Sequence, residues 1–77
     1  MMSIQQELPV RAYNCLRWKF GDDFTALKVE SALFSGQVTE SELFRSPNYG
    51  YKSHAAVISW LKKEVPNGRW LARHPDA

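Results

Sequence analysis

The sequence predicts an all-α fold, and three observations carry that prediction. Apolar residues recur at helical spacing, proline and glycine separate the periodic segments, and a capping box opens a short helix in the middle of the chain. The first helix is predicted to begin at Pro9, whose fixed φ suits a first helical position, and to run to about Lys19 before Gly21 ends it. Its apolar face is predicted to consist of Val10, Tyr13, Phe20 and either Leu16 or Cys15. Arg11, Asn14 and Trp18 lie on another face of this helix.

The middle of the chain is predicted to form two short helices. A loop that contains the candidate caps Asp22 and Asp23 is followed by a helix near residues 29–35, which Gly36 ends. The capping box Thr39-Glu-Ser-Glu42 then predicts a third helix from about Glu40 to Arg45.

The longest helix is predicted from Tyr51 to near Glu64. It follows a turn in which Asn48 and Gly50 are the residues best able to adopt a positive φ, and its expected core stripe is Ala55, Val57, Ile58 and Leu61. The run Val65-Pro-Asn-Gly68 ends this helix. We expect the core to include Tyr49, Cys15, Trp18, Trp60, and Trp70 with Leu71 folded back onto the body.

Length and composition exclude several functional classes. With 77 residues, 44% of them hydrophobic, the chain should form one globular domain. It has no apolar run of membrane-spanning length and no secretory signal, so we expect a cytoplasmic protein. The single cysteine and two histidines cannot build a zinc site of the usual ligand count. No catalytic constellation can be assembled, so we expect neither an enzyme nor a cofactor or metal.

The charges are unevenly distributed along the chain. Residues 1–19 have a balance of +2, residues 20–44 of −4 and residues 45–77 of +4. If the fold brings the two basic segments together, one face becomes cationic. The alternative is that these are ordinary solvated charges.

The turn that precedes the longest helix has the chemistry of an anion site. Unpaired N–H groups at a helix start attract phosphate, Gly50 lacks a side chain that would block a close approach, Lys52 adds charge and Ser53 a hydroxyl. The alternative is a plain chain reversal with a solvated lysine. Likewise Arg11 and Asn14 could enter a DNA minor groove, or they could simply face water. Tyr49 and Tyr51 could stack on unpaired bases, although Tyr49 is better suited to be an apolar anchor of the turn.

Two stretches of the chain resemble the C-terminal domain of the alpha subunit of bacterial RNA polymerase. They are Leu8-Pro-Val-Arg-Ala-Tyr-Asn-Cys-Leu-Arg17, and Thr39-Glu-Ser-Glu-Leu-Phe44 followed by Pro47-Asn-Tyr-Gly-Tyr-Lys-Ser-His54. The resemblance implies a compact domain of four to five helices with a helix-hairpin-helix element. It divides the chain into an N-terminal extension (1–7), the helical domain (8–65) and a tail (66–77) that packs on it.

The same resemblance implies non-catalytic binding of duplex DNA in an A·T-rich minor groove and a role in transcription. The DNA-contacting residues of the family correspond to Arg11, Asn14, Asn48, Gly50, Lys52 and Ser53. An acidic residue that orients the family's arginine corresponds to Ala56, which implies weaker specificity. The chain is expected to be a free-standing copy of the module that acts alone, as a dimer, or with RNA polymerase or a transcription regulator. The alternative is a protein interaction module that uses the acidic middle segment with Phe34 and Phe44.

Overall fold

The structure is a computed structural model, and it describes residues 8–74. The predicted N-terminal extension and the last three residues of the tail lie outside these residues. Five helices follow one another along the described chain, and the all-α prediction is confirmed. They are α1 (Val10–Phe20), α2 (Ala26–Ser35), α3 (Glu40–Phe44), α4 (Tyr51–Glu64) and α5 (Arg69–Arg73).

Helix α1 agrees with the prediction at both ends. Pro9 is its N-cap residue, and Gly21 ends it with a positive φ of 98° while its N–H donates to the Arg17 carbonyl. Ala12 and Leu16 are completely buried, as expected for the inner face. Val10, which was expected to belong to that face, is 61% exposed because it begins the helix at the rim of the domain.

Helix α2 begins three residues earlier than predicted. Its cap is Thr25, whose hydroxyl accepts a hydrogen bond from the Lys28 N–H at 3.2 Å. The aspartates proposed as caps form exposed ion pairs instead, Asp22 with Arg17 at 3.7 Å and Asp23 with Lys28 at 3.6 Å. The helix ends at Gly36 in the left-handed conformation, as predicted.

The core lies between α2 and its neighbours, since α2 packs against α1, α4 and α5, and α4 also packs against α1. Helix α4 contributes Val57, Ile58, Trp60 and Leu61, whereas Ala55 is exposed and does not belong to its core stripe. Phe24 fills the centre, with its ring 5.9 Å from that of Trp60 in an edge-on arrangement.

The tail adds the short helix α5, for which the sequence had shown no clear pattern. Trp70 and Leu71 are buried, as predicted. Their backbone is hydrogen-bonded to a carboxylate of α2. Glu30, only 4% exposed, accepts hydrogen bonds from the backbone N–H groups of Trp70 at 3.3 Å and Leu71 at 2.9 Å. This contact fixes the tail to the helical domain.

Candidate nucleic-acid interface

Helix α1 presents Arg11 and Asn14 on its outer face. Both are exposed, because the inner face of the same helix is occupied by Ala12 and Leu16. Successive helical residues are about 100° apart around the axis, so Arg11 and Asn14 lie about 60° from each other. Arg11 forms no ion pair with any other residue of the described chain 8–74.

The turn from Arg45 to Gly50 links α3 to α4, and we call it the hairpin. Asn48 takes the left-handed conformation, with φ of 66°, as predicted. Gly50 does not, since its φ is −118°, so the expectation of a positive φ at Gly50 is wrong. The lack of a side chain still leaves the approach open, because a Cβ at Gly50 would meet no other atom within 4 Å. One residue with positive φ is thus enough to reverse the chain.

The first turn of α4 follows directly from the hairpin. Gly50 is its N-cap residue, no side chain caps it, and the His54 N–H donates to the Gly50 carbonyl at 2.9 Å. The N–H groups ahead of His54 lie at the positive end of a 14-residue helix that has no acidic residue in its first turn. Lys52 is exposed beside them. The arrangement can accept an anion.

Ser53 lies in a different place from the other predicted site residues. It is only 6% exposed and belongs to the inner face of α4. Its side chain therefore has little access to an external phosphate, and we leave the hydroxyl out of the candidate site. The other five predicted residues, Arg11, Asn14, Asn48, Gly50 and Lys52, are all exposed.

A buried contact joins α1 to the hairpin. The Cys15 thiol lies 3.1 Å from the Ser46 hydroxyl, to which it donates, and 3.9 Å from the Leu43 carbonyl oxygen. Asn14 precedes Cys15, and Arg11 lies one helical turn before it, which is about 6 Å along the axis. Asn48 and Gly50 follow Ser46 by two and four residues. Helix α1 and the hairpin thus contact each other at Cys15 and Ser46.

The hairpin is held from below by a chain of hydrogen bonds. The Tyr49 hydroxyl lies 2.8 Å from His54 Nδ1, and His54 Nε2 lies 2.6 Å from a Glu40 carboxylate oxygen. With a neutral imidazole and an ionised carboxylate, which can only accept, Nε2 donates to Glu40 and the Tyr49 hydroxyl donates to Nδ1. Burial raises the pKa of Tyr49 above its ordinary value, and the nearby Cys15 and Glu40 raise it further. Tyr49 is therefore a buried anchor, as predicted, and not a platform for bases.

Two exposed residues differ from the prediction made from the sequence. Trp18 was expected at the core, yet it is 76% exposed. Its helical position, on the same face as Arg11 and Asn14, already indicated this outcome. Arg45 is exposed at the end of α3, directly before Ser46, and no sequence pattern had singled it out.

The alternative surface, the acidic middle segment with Phe34 and Phe44, is partly exposed: Phe34 is half-buried and Phe44 is 36% exposed. The guanidinium carbons of Arg73 and Arg69 lie 4.8 Å and 5.8 Å from the centre of the Phe34 ring. Phe44 packs against the rings of Tyr49, Tyr51 and His54 beside the hairpin. Phe34 thus contacts basic residues of α5, whereas Phe44 belongs to an aromatic group that includes the exposed Tyr51.

The remaining chemistry of residues 8–74 offers no metal centre, since these residues contain no group of three or more histidine, cysteine, aspartate or glutamate side chains placed to hold an ion. The same residues contain no helix both long and apolar enough to cross a bilayer.

Burial raises the pKa of the Cys15 thiol, although the hydrogen bond with Ser46 and the charge of Lys19 act in the other direction. Cys15 is thus a packing residue and is poorly disposed to act as a nucleophile.

We compared the chain with models of protein families, with curated proteins and with solved structures, and none of them matches it. A functional conclusion must therefore come from the exposed residues on α1 and the hairpin, and from the contact that brings them together.

Proposed function

We propose that the chain is a non-catalytic DNA-binding module that contacts the backbone and minor groove of A·T-rich duplexes and modulates transcription. The observation that carries the proposal is the contact between Cys15 and Ser46. It joins α1, on which Arg11 and Asn14 are exposed, to the hairpin that leads into the uncapped start of α4.

Each exposed residue has a defined role in the proposal. Arg11 enters the minor groove, which is narrow and strongly negative in A·T-rich DNA and therefore attracts a guanidinium. Asn14 hydrogen-bonds to a sugar, a phosphate or a base edge. A phosphate lies against Gly50 and the first N–H groups of α4, and Lys52 adds its charge. Only Arg11 and Asn14 reach the bases, so sequence preference should be modest.

The small size of this surface predicts weak binding that depends steeply on salt. With about two to four phosphate contacts, the logarithm of the association constant should fall with the logarithm of salt concentration with a slope of about −2 to −4. Such a module needs a dimer or a partner bound to the same DNA for high occupancy.

The experiment is fluorescence anisotropy with labelled A·T-rich and G·C-rich duplexes over a salt series. Arg11→Ala should weaken binding to the A·T-rich duplex at least tenfold, which corresponds to the discrimination of one good base contact. Arg17→Ala is the matched control, because it removes the same charge from the same helix but at a side chain already paired with Asp22. Its effect should be threefold or less, in keeping with a distant screened charge.

Equal, salt-insensitive signals for both duplexes, or equal losses in the two arginine variants, would refute the proposal. A pulldown of RNA polymerase subunits that survives nuclease treatment, together with an absence of direct DNA binding, would favour the protein interaction module instead.

A further inference from the structure

Trp18 differs from the other two tryptophans of the chain. Trp60 and Trp70 are 4% and 5% exposed, whereas Trp18 is 76% exposed. A domain of 77 residues has little apolar surface from which to build a core. Because the Trp18 indole does not contribute to the core, we looked for a role of this side chain in binding.

The position of Trp18 on α1 relates it to the candidate DNA-binding surface. At about 100° per residue, Trp18 lies about 20° from Arg11 and about 40° from Asn14 around the helix axis. Both ends of this stripe lie near Cys15, which contacts the hairpin: Arg11 is about 6 Å before it along the axis and Trp18 about 4.5 Å beyond it. Arg11, Asn14 and Trp18 thus form one exposed stripe on α1, the helix that contacts the hairpin through Cys15.

The charge around Trp18 favours an anionic partner. Helix α1 contains no acidic residue, and of its three basic residues Arg17 is paired with Asp22 of the following loop, whereas Arg11 and Lys19 have no such partner in residues 8–74. The Lys19 ammonium lies 5.4 Å from the centre of the Trp18 ring, so a positive charge accompanies the aromatic surface. A flat aromatic ring among cations is the combination that single-stranded nucleic acids bind.

We propose, building on the DNA-binding function above, that Trp18 stacks on an unpaired base adjacent to the duplex that Arg11 and Asn14 contact. The faces of paired bases are covered by their neighbours in the duplex, so a ring carried by a helix finds a free base only at an end, a bubble or a single-stranded extension. The preferred ligand of the module is therefore a junction between duplex and single-stranded DNA.

The test compares a blunt A·T-rich duplex with the same duplex carrying a single-stranded extension of about four nucleotides, a length in the range of small single-strand sites. For the wild type, the extension should strengthen binding about tenfold, within the range reported for stacking of one base. Trp18→Ala should remove this gain while binding the blunt duplex like the wild type. Trp18→Tyr should keep most of the gain because it keeps a flat ring.

Two further variants separate this contact from the others. Arg11→Ala should weaken binding to both DNAs by the same factor, because its site is in the duplex. Leu27→Ala removes another exposed apolar side chain, 64% exposed on α2, and should change neither affinity. The wild-type tryptophan emission should also be quenched more by the extended DNA than by the blunt duplex, a difference that Trp18→Ala abolishes.

The outcomes distinguish the two proposals. A wild type that binds the blunt duplex but gains nothing from the extension, or a gain that Trp18→Ala leaves intact, overturns the stacking role and leaves the DNA-binding function in place. A wild type that binds neither DNA at low salt overturns both. A protein partner whose purified complex depends on Trp18 and excludes DNA assigns this residue to a protein interface and also overturns the stacking role.

Discussion

Glu30 provides the sharpest test of how the tail is attached to the domain. Its buried carboxylate accepts two backbone hydrogen bonds at the start of α5. A hydrogen bond to a charged group contributes about 1.5–3 kcal/mol, and an unpaired buried N–H is costly. Glu30→Ala should therefore lower the free energy of unfolding by about 3 kcal/mol, which for a domain of this size corresponds to a fall in Tm of roughly 15 °C.

Gly68 makes the test specific, because it lies against the same carboxylate. Its φ of −59° and ψ of 136° suit alanine, yet a Cβ there would overlap the Glu30 side chain. Gly68→Ala alone should cost about 1–3 kcal/mol, as overpacking does. In the Glu30→Ala background the carboxylate is gone, so the same substitution should cost almost nothing.

The measurement is urea unfolding followed by circular dichroism for the wild type, the two single variants and the double variant. We expect a coupling energy of about 1–3 kcal/mol between positions 30 and 68. Glu64→Ala, which removes an exposed carboxylate at the end of α4, is the control and should change stability by no more than about 0.5 kcal/mol. Additive losses, or a Glu30→Ala variant as stable as the wild type, would show that the carboxylate does not hold α5.

Three further predictions concern single side chains. Trp18→Ala should change the free energy of unfolding by less than about 0.5 kcal/mol in the same urea assay, and a loss of several kcal/mol would mean that the indole is packed. Tyr49→Phe should cost about 1 kcal/mol, because it removes the hydroxyl bonded to His54, and an unchanged midpoint would contradict this bond. The raised pKa of Cys15 means that the unfolded thiol ionises first, near its ordinary value of 9.0, so stability should be full below that pH and fall as pH rises through the folded pKa. In a pH series, Cys15→Ala should reduce this alkaline loss, and an identical loss in both proteins would assign it to other groups.

The helices could be predicted where a local signal fixes their ends. Pro9 and Gly21 bound α1, and Thr39 caps α3 because its hydroxyl oxygen accepts a hydrogen bond from the Glu42 N–H at 3.3 Å. For the start of α2 the sequence offered Asp22 and Asp23 as candidate caps, and no local signal singled out Thr25, which is the cap. The choice depends on Phe24, which is 2% exposed in the core and places the next residue, Thr25, at the helix start.

The candidate site could be predicted only in part, for reasons that differ from residue to residue. Asn48 was identified because few residues tolerate a positive φ. The burial of Ser53 follows from its helical spacing with the buried Val57 and Trp60, a pattern that the functional interpretation overrode. Trp18 was assigned to the core from its residue type, although its spacing from Arg11 already indicated the outer face. The contact between helix and hairpin depends on tertiary packing, which no local pattern contains.

The two sides of the hairpin differ in how their polar groups are satisfied, and this difference supports a binding role. On the inner side, the hydroxyl of Tyr49 is hydrogen-bonded to His54, and the Cys15 thiol to Ser46. On the outer side, Gly50 caps α4 with no side-chain bond, and Asn48 is exposed. Hydrogen bonds on the inner side already restrict the loop, so a ligand that binds on the outer side removes less conformational entropy. The anchor that stabilises the fold therefore also prepares the hairpin to bind a nucleic-acid backbone at a smaller entropic cost than a mobile loop would bear.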